Sequence, residues 1–223
     1  MSEPLVTCLC LTRNRREWLP RAIECFRLQT YATRELVIVA DGEAVKDLVP
    51  EDSRIRLLLC PSGTTVGAKR NLGCASARGE LIAHWDDDDW SAADRLDHQV
   101  GLLLDSEKAV MGYHSILYRE TRSLRIWAEG VARRPASSRW AWRSAQGRAA
   151  GTSLCYRRAW WAAHRFLDVN CGEDDAFFAE ARDAGVVFTV DGGERICATN
   201  HVGNVSGRLV GGIEWEELSE VPC

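Results

Sequence analysis

Residues His84 to Trp90, "HWDDDDW", set four consecutive carboxylates between two tryptophans at the end of an apolar run. Aspartates this crowded repel one another. A short acidic run is usually a solvated loop whose charges point outward. Here the flanking tryptophans and the apolar stretch before them favour a half-buried loop, and crowded carboxylates in a partly dry place call for a hard divalent cation. Oxygen ligands suit magnesium or manganese, commonly held by one or two carboxylates together with substrate phosphates. A metal that completes its shell with phosphates implies a nucleotide or a sugar nucleotide.

A second acidic group, Glu173-Asp174-Asp175, lies far along the chain in "CGEDDAFF". One reading is a helix start whose acids complement the macrodipole. The other is a general base, because three acids run directly into an aromatic pair. Lys69-Arg70-Asn71 lies just upstream of the aspartates, where a cation could neutralise phosphate or simply sit on a helix surface. Neither a G-x-x-x-x-G-K-[ST] loop nor a G-x-G-x-x-G turn after a strand is present, so P-loop and Rossmann dinucleotide sites are unsupported.

The elements that must position these groups alternate. "LVTCLCL" (5–11), "ELVIVA" (35–40) and "IRLLLC" (55–60) read as strands buried on both faces. Leu19, Ile23 and Phe26 mark a helix over 16–29. "TVGAKRNLGCASARG" reads as a small-residue helix packed closely on a sheet and stopped by Gly79. "ELIAHW" is a fourth strand that delivers the aspartates at its C-terminal end, where open α/β sheets bind ligands. Thr12 and Asp41 end two other strands, so three strands aim polar groups at one crevice. This rhythm predicts an α/β fold with a mostly parallel sheet. Further on, a helix is expected over 92–104, strands at "AVMGYHSILY", "SLRIWAEG", "GTSLCY", "VVFTV" and "ERICAT", and a helix at "EDDAFFAEARDAG" closing at Gly185. Residues 132–150, with five arginines and two tryptophans, read as an exposed loop or lid.

Composition sets the bounds. The 223 residues can bury a substantial single core, and 46% hydrophobic with 27% charged residues argues against disorder. A formal charge of −4 offers no basic footprint for nucleic acid. The nine cysteines include no C-x-x-C pair, which leaves zinc ribbons and thioredoxin-like motifs without support. Their odd number, and a first stretch unlike a secretion leader, predict a reduced, cytoplasmic protein. No apolar stretch approaches the ~20 residues that span a bilayer, so an integral membrane protein is not expected.

Taken in order, "PLVTCLCLTRNR", "ELVIVADGE", "VGAKRNLGCASARGELIAHWDDDDW", "GTSLCYRRAWW", "CGEDDAFF" and "NHVGNVSG" resemble family-2 glycosyltransferases of GT-A fold over about residues 4–208. The resemblance implies a Rossmann-like GT-A domain at 1–208, with a donor-binding half near 1–92, an acceptor and catalytic half near 93–208, and a tail at 209–223. It implies inverting transfer of one sugar from a nucleotide-diphosphate donor, such as a UDP-sugar, to a carbohydrate or other hydroxyl acceptor, with Mn2+ or Mg2+. Asp86 and Asp88 match the D-x-D motif: Asp88 would hold the metal, and Asp86 would contact the ribose or the metal's waters. Asp87 joins the donor side. Asp41 matches the acid that reads the base, Thr12 and Arg13 sit in the loop that cups it, and Arg70 matches a cation beside the donor. Asp174 matches the acceptor's base, with Glu173 and Asp175 as neighbours. His201 matches a late histidine that reaches the metal or diphosphate; without the resemblance a lone histidine is more often structural. A homodimer is left open.

Departures from the family pattern bear on specificity. Ala40 precedes Asp41 where many members carry a second acid, and Arg13 stands where a tyrosine is common. Absence of a Q-x-x-R-W motif favours single addition over polymer synthesis. A nucleotidyltransferase is the competing enzyme, but "TRNRR" has no glycine for its loop. Nine tryptophans suggest stacking platforms in a non-catalytic sugar binder, which would not need the "EDD" acids.

Overall fold

The computed structural model describes residues 3–120, 140–142, 148–201 and 214–215. Strands β1 (Val6–Thr12), β2 (Arg34–Asp41), β3 (Ile55–Cys60) and β4 (Leu81–His84) run parallel in the order β4-β1-β2-β3. Every residue of β2 and β4 is buried, as expected of strands covered on both faces. The sheet continues beyond β4 with β9 (Cys155–Arg157), β6 (Val110–Ser115) and β10 (Val187–Asp191), giving seven strands among the described residues. Of these only β9 runs against the rest. Mostly parallel α/β architecture is therefore the observed fold.

Helices α1 (Leu19–Arg27), α2 (Val66–Ser76), α3 (Arg95–Asp105), α4 (Arg158–Ala163) and α5 (Glu173–Asp183) flank this sheet. Helix α1 starts three residues later than its periodicity suggests. Pro20, which lacks an amide hydrogen, fits only the first turn and so sets the start. Helix α2 opens with Thr65 accepting from the Ala68 amide (3.1 Å) and ends at Ser76, before Gly79. Gly79 does not cap it. It lies against β1 instead, where a β-carbon would stand 2.7 Å from Leu5 O and from Thr7 N. Gly185 takes φ 69° just past α5, as the sequence predicts.

A second sheet was not anticipated. "AVMGYHSILY" divides at Ile116 into β6 and β7 (Leu117–Glu120), and the two pieces join different sheets. Strand β7 pairs with β8 (Trp140–Trp142) and β11 (Ile196–Asn200). Strand β11 also pairs with the two-residue β5 (Trp90–Ser91), directly after the aspartates, and β8 pairs with β12 (Glu214–Trp215). "GTSLCY" splits as well, into a 3-10 turn at Gly151–Ser153 followed by β9. The expected strand "SLRIWAEG", most of the 132–150 lid and most of the 209–223 tail lie outside the described residues. The eight described cysteines are free thiols, seven of them buried. Among the described residues no helix is long and apolar enough to cross a membrane.

Candidate active site

Strand ends deliver the acids to one crevice. Asp41 ends β2, is buried, and touches the Lys69 ammonium, whose nitrogen also lies 3.5 Å from Thr12 O at the end of β1. Arg13 is largely exposed and its Nε stands 3.9 Å from Asp41 Oδ2. Asn14 then adopts φ 56°, a left-handed conformation that asparagine tolerates better than most residues, and turns the chain after β1. A cleft of about 460 Å³ opens here, bordered by Thr12, Arg13, Arg15, Thr64, Lys69 and Asn170.

The four aspartates do not act alike. One carboxylate oxygen each from Asp86, Asp88 and Asp89 lies within 4.8 Å of the others. Asp87 instead meets Arg15, whose Nε donates to Asp87 Oδ2 (3.1 Å) and whose second amino group also contacts Oδ1. The remaining nitrogen of Arg15 donates to Asp88 Oδ2 (2.7 Å). His201 Nε2 donates to the same oxygen (3.0 Å), and its ring stacks on Trp18 at 4.8 Å between centroids. The Thr199 amide donates to Asp89 Oδ1 (2.8 Å). Pairing of β5 with β11 (Cys197↔Trp90) carries Thr199 and His201 onto the acids.

These environments separate the carboxyls. Burial pushes Asp87 up to about 7 against the pull of Arg15, with Asp88 repelling it further. Burial and then the charge of Asp88 push Asp89 well up. Burial would raise Asp88 too, but the His201 hydrogen bond and Arg15 outweigh it and hold Asp88 below the ordinary range. Three converging carboxylates with an adjacent imidazole form a hard, mostly oxygen donor set that fits magnesium or manganese. Zinc sites, by contrast, draw mainly on sulfur and nitrogen, with at most a minority of carboxylates.

The second acidic group sits across Arg70. This guanidinium is buried, donates from Nε to Glu173 Oε1 (2.9 Å), and stands 4.0 Å from Asp86 Oδ1. Glu173 is thus engaged by Arg70, while Asp175 points to solvent. Asp174 lies half-buried between these extremes, near enough for its charge to reach both Arg70 and Asp86. Its carboxylate rests against Gly151. Of the residues singled out in the sequence, Thr12, Arg13 and Lys69 border the cleft. Asp41 pairs with Lys69, Asp86 and Glu173 meet at Arg70, and Asp88 meets His201, whereas Asp175 does not join them.

Other members were missed. Arg15 was hidden in "TRNRR", three arginines of which only the first was assigned. Asp89 joins the cluster while Asp87 turns to Arg15, and Gly151 opened a stretch read as a plain strand.

The match to the glycosyl transferase family 2 model spans residues 8–161, well over half of the chain. The chain belongs to glycosyl transferase family 2. Among curated proteins, this family-2 chain is 30% identical over 115 residues to "UDP-Glc:alpha-D-GlcNAc-diphosphoundecaprenol beta-1,3-glucosyltransferase WfgD" of Escherichia coli, covering 50% of this chain and 46% of that one. It is 33% identical over 139 residues to "Succinoglycan biosynthesis protein ExoO" of Rhizobium meliloti strain 1021, covering 59% and 40%. The matched regions thus take in less than half the length of these relatives. The mannosyltransferase PcManGT from Pyrobaculum calidifontis, solved with GDP-Man and Mn2+, superposes at TM-score 0.65 with 18% identity over 90% of this chain and 57% of its own. S. aureus TarS 1–349, solved with UDP-GlcNAc, gives TM-score 0.65 with 15% identity over 89% and 59%. At such low identity these likenesses establish the fold, which is of GT-A type.

Proposed function

We propose that this chain transfers one sugar from a nucleotide-diphosphate sugar, in the first instance a UDP-sugar, to an acceptor hydroxyl with inversion and with Mn2+ or Mg2+. Residues 1–92 supply the donor side and 93–208 the acceptor side. The observation that carries the reading is the convergence of Asp86, Asp88 and Asp89 within 4.8 Å, facing Asp174 across Arg70.

In this reading Asp86, Asp88 and Asp89 hold the divalent cation, with His201 against Asp88 at the edge of the set, and the cation when bound supplies positive charge for the departing diphosphate. Arg70 and Arg15 add fixed positive charge beside it. The cleft bordered by Thr12, Arg13 and Lys69 receives the base, with Asp41 paired to Lys69 beside it. The acceptor hydroxyl approaches the anomeric carbon from the face opposite the diphosphate. Its oxygen forms the new bond as the bond to the diphosphate breaks, and its proton passes to Asp174. Glu173 is held by Arg70 and serves to fix that cation rather than to take the proton. The solved neighbours with GDP-Man and UDP-GlcNAc, and the UDP-Glc transferase named among the relatives, support a sugar-nucleotide donor in this chain.

A panel of UDP- and GDP-sugars, each with and without manganese, tests this by the release of free nucleoside diphosphate. The reading requires metal-dependent release from at least one sugar nucleotide. Release of pyrophosphate from a nucleoside triphosphate in place of it would make the chain a nucleotidyltransferase. Tight binding with no release would make it a binding protein.

A further inference from the structure

The turn Gly151–Ser153 is held unusually firmly. His84 Nδ1 meets Gly151 O at 2.7 Å, Arg95 donates to Thr152 O at 2.8 Å, and Gln99 donates to Ser153 O at 2.6 Å. Three successive carbonyls are thus each taken by a different, fully buried side chain. A carbonyl only accepts, so the His84 proton resides on Nδ1. Burial, reinforced by the charge of Arg70, keeps the ring neutral, with Nε2 facing the Tyr156 hydroxyl at 3.4 Å. Arg95 also donates to His84 O (2.7 Å), which ties the turn to the strand that carries the aspartates.

Against this turn rests the Asp174 carboxylate. A β-carbon on Gly151 would collide with Asp174 Oδ2 and stand 2.7 Å from its Cγ. Gly151 has no left-handed φ, so its backbone suits any residue and only the space is special. The turn is pinned and the carboxylate is the far end of a short side chain. The carboxylate would therefore be the part to move.

We propose that Gly151 is a positioning residue: the bare backbone of a turn pinned by His84, Arg95 and Gln99 sets where the Asp174 carboxylate meets the acceptor hydroxyl. This rests on the reading of Asp174 as the base. Displacement of a reacting group by about 1 Å can cost ~10²-fold in rate.

Gly151→Ala tests it, with the UDP- or GDP-sugar that turns over fastest in the panel as probe. The expected result is a fall of roughly 10- to 100-fold in kcat, with KM for the sugar nucleotide and calorimetric affinity for the nucleoside diphosphate with manganese within about two-fold of wild type. In an Asp174→Ala background Gly151→Ala should add no further loss, since residues acting through one another are not additive. A wild-type rate for Gly151→Ala, or losses that multiply with those of Asp174→Ala, would overturn the proposal. If Gly151→Ala fails to fold while the double variant folds, the collision is with the carboxylate and the proposal stands. If both fail to fold, the space serves the backbone and the proposal falls. Asp174→Asn separates the two readings: a wild-type rate there removes the base itself, whereas a slow Asp174→Asn beside a fast Gly151→Ala removes only the positioning role.

Discussion

Two acidic regions face each other across Arg70, and they are built on opposite plans. At the end of β4 the acids are crowded and largely buried, and three of the four are hydrogen-bonded: Asp87 and Asp88 by Arg15, Asp88 by His201, Asp89 by the Thr199 amide, while Asp86 stands 4.0 Å from Arg70. At the start of α5 the acids are dispersed. Glu173 is committed to Arg70, Asp175 faces solvent, and Asp174 leans on a glycine. In the proposed reading one side gathers negative charge to hold a cation, and the other keeps a single carboxylate near the crevice for a proton. Identical residue types acquire different tasks because burial and partners differ, the same logic that separates acid from base in other paired carboxylate sites.

The largest effect should come from the crowded side. Asp88→Ala removes the carboxylate that His201 and Arg15 both engage, while Arg15 keeps Asp87. Manganese-dependent affinity for the nucleoside diphosphate should vanish, and turnover should drop by several kcal/mol of transition-state stabilisation, ~10³-fold or more. Calorimetry with and without manganese decides it: equal affinity in variant and wild type would dissolve the contrast between the two regions.

The dispersed side should behave differently. Asp174→Asn keeps size and shape but cannot take a proton, so turnover should fall by ~10²–10⁴. Affinity for the sugar nucleotide should stay within a few-fold, because Asp174 is not among the converging donors. Should both variants lose donor binding alike, the two acidic groups form one site and the comparison fails.

How far these roles were legible follows from where each residue's partners lie. Strands β2 and β4 were plain because "LVIVA" and "LIA" are unbroken apolar runs, and the crevice at their ends follows from topology. The aspartate run was marked by its own neighbours, and Asp86 and Asp88 within it by the resemblance. Which of the four aspartates turns away was not, because the choice is made by Arg15, more than seventy residues upstream, and by Thr199. His201 reaches Asp88 only through the register of two short strands, β5 on β11. Periodicity is silent about a two-residue strand. Gly151 left no mark beyond being glycine, since its role depends on a carboxylate that arrives from another element.

Arg15 sharpens the comparison from the stability side. Its side chain is 21% exposed and Asp87 is fully enclosed, so Arg15→Met leaves a buried carboxyl without its cation. Breaking such a pair costs about 3 kcal/mol. For a chain of this length that corresponds to a fall in Tm of roughly 6–12 °C. Asp87→Asn added to Arg15→Met should restore most of the loss. No recovery in the double variant would mean that Arg15 supports the fold through its neighbours rather than through Asp87.

The smallest expected effect is a pH dependence confined to the crowded side. The Asp87 carboxyl is pushed up to about 7 in the folded protein, chiefly by burial, against an unfolded value near 3.9. A group raised in this way binds its proton more tightly in the folded state. Its contribution to stability is complete below about pH 4 and declines as pH climbs through 7. Asp87→Asn removes that titration, so the Tm of the variant relative to wild type should rise between pH 5 and pH 8. Asp89 is raised in the same sense, and a divalent cation wants it ionised. Added magnesium should therefore raise Tm by more at pH 7.5 than at pH 5.5, since stabilisation by a bound ligand follows its affinity. Asp174→Asn should leave this magnesium response unchanged. A response that is flat with pH, or one that disappears with Asp174, would show that the acids of β4 and α5 titrate as a single cluster and that their division of labour is not electrostatic.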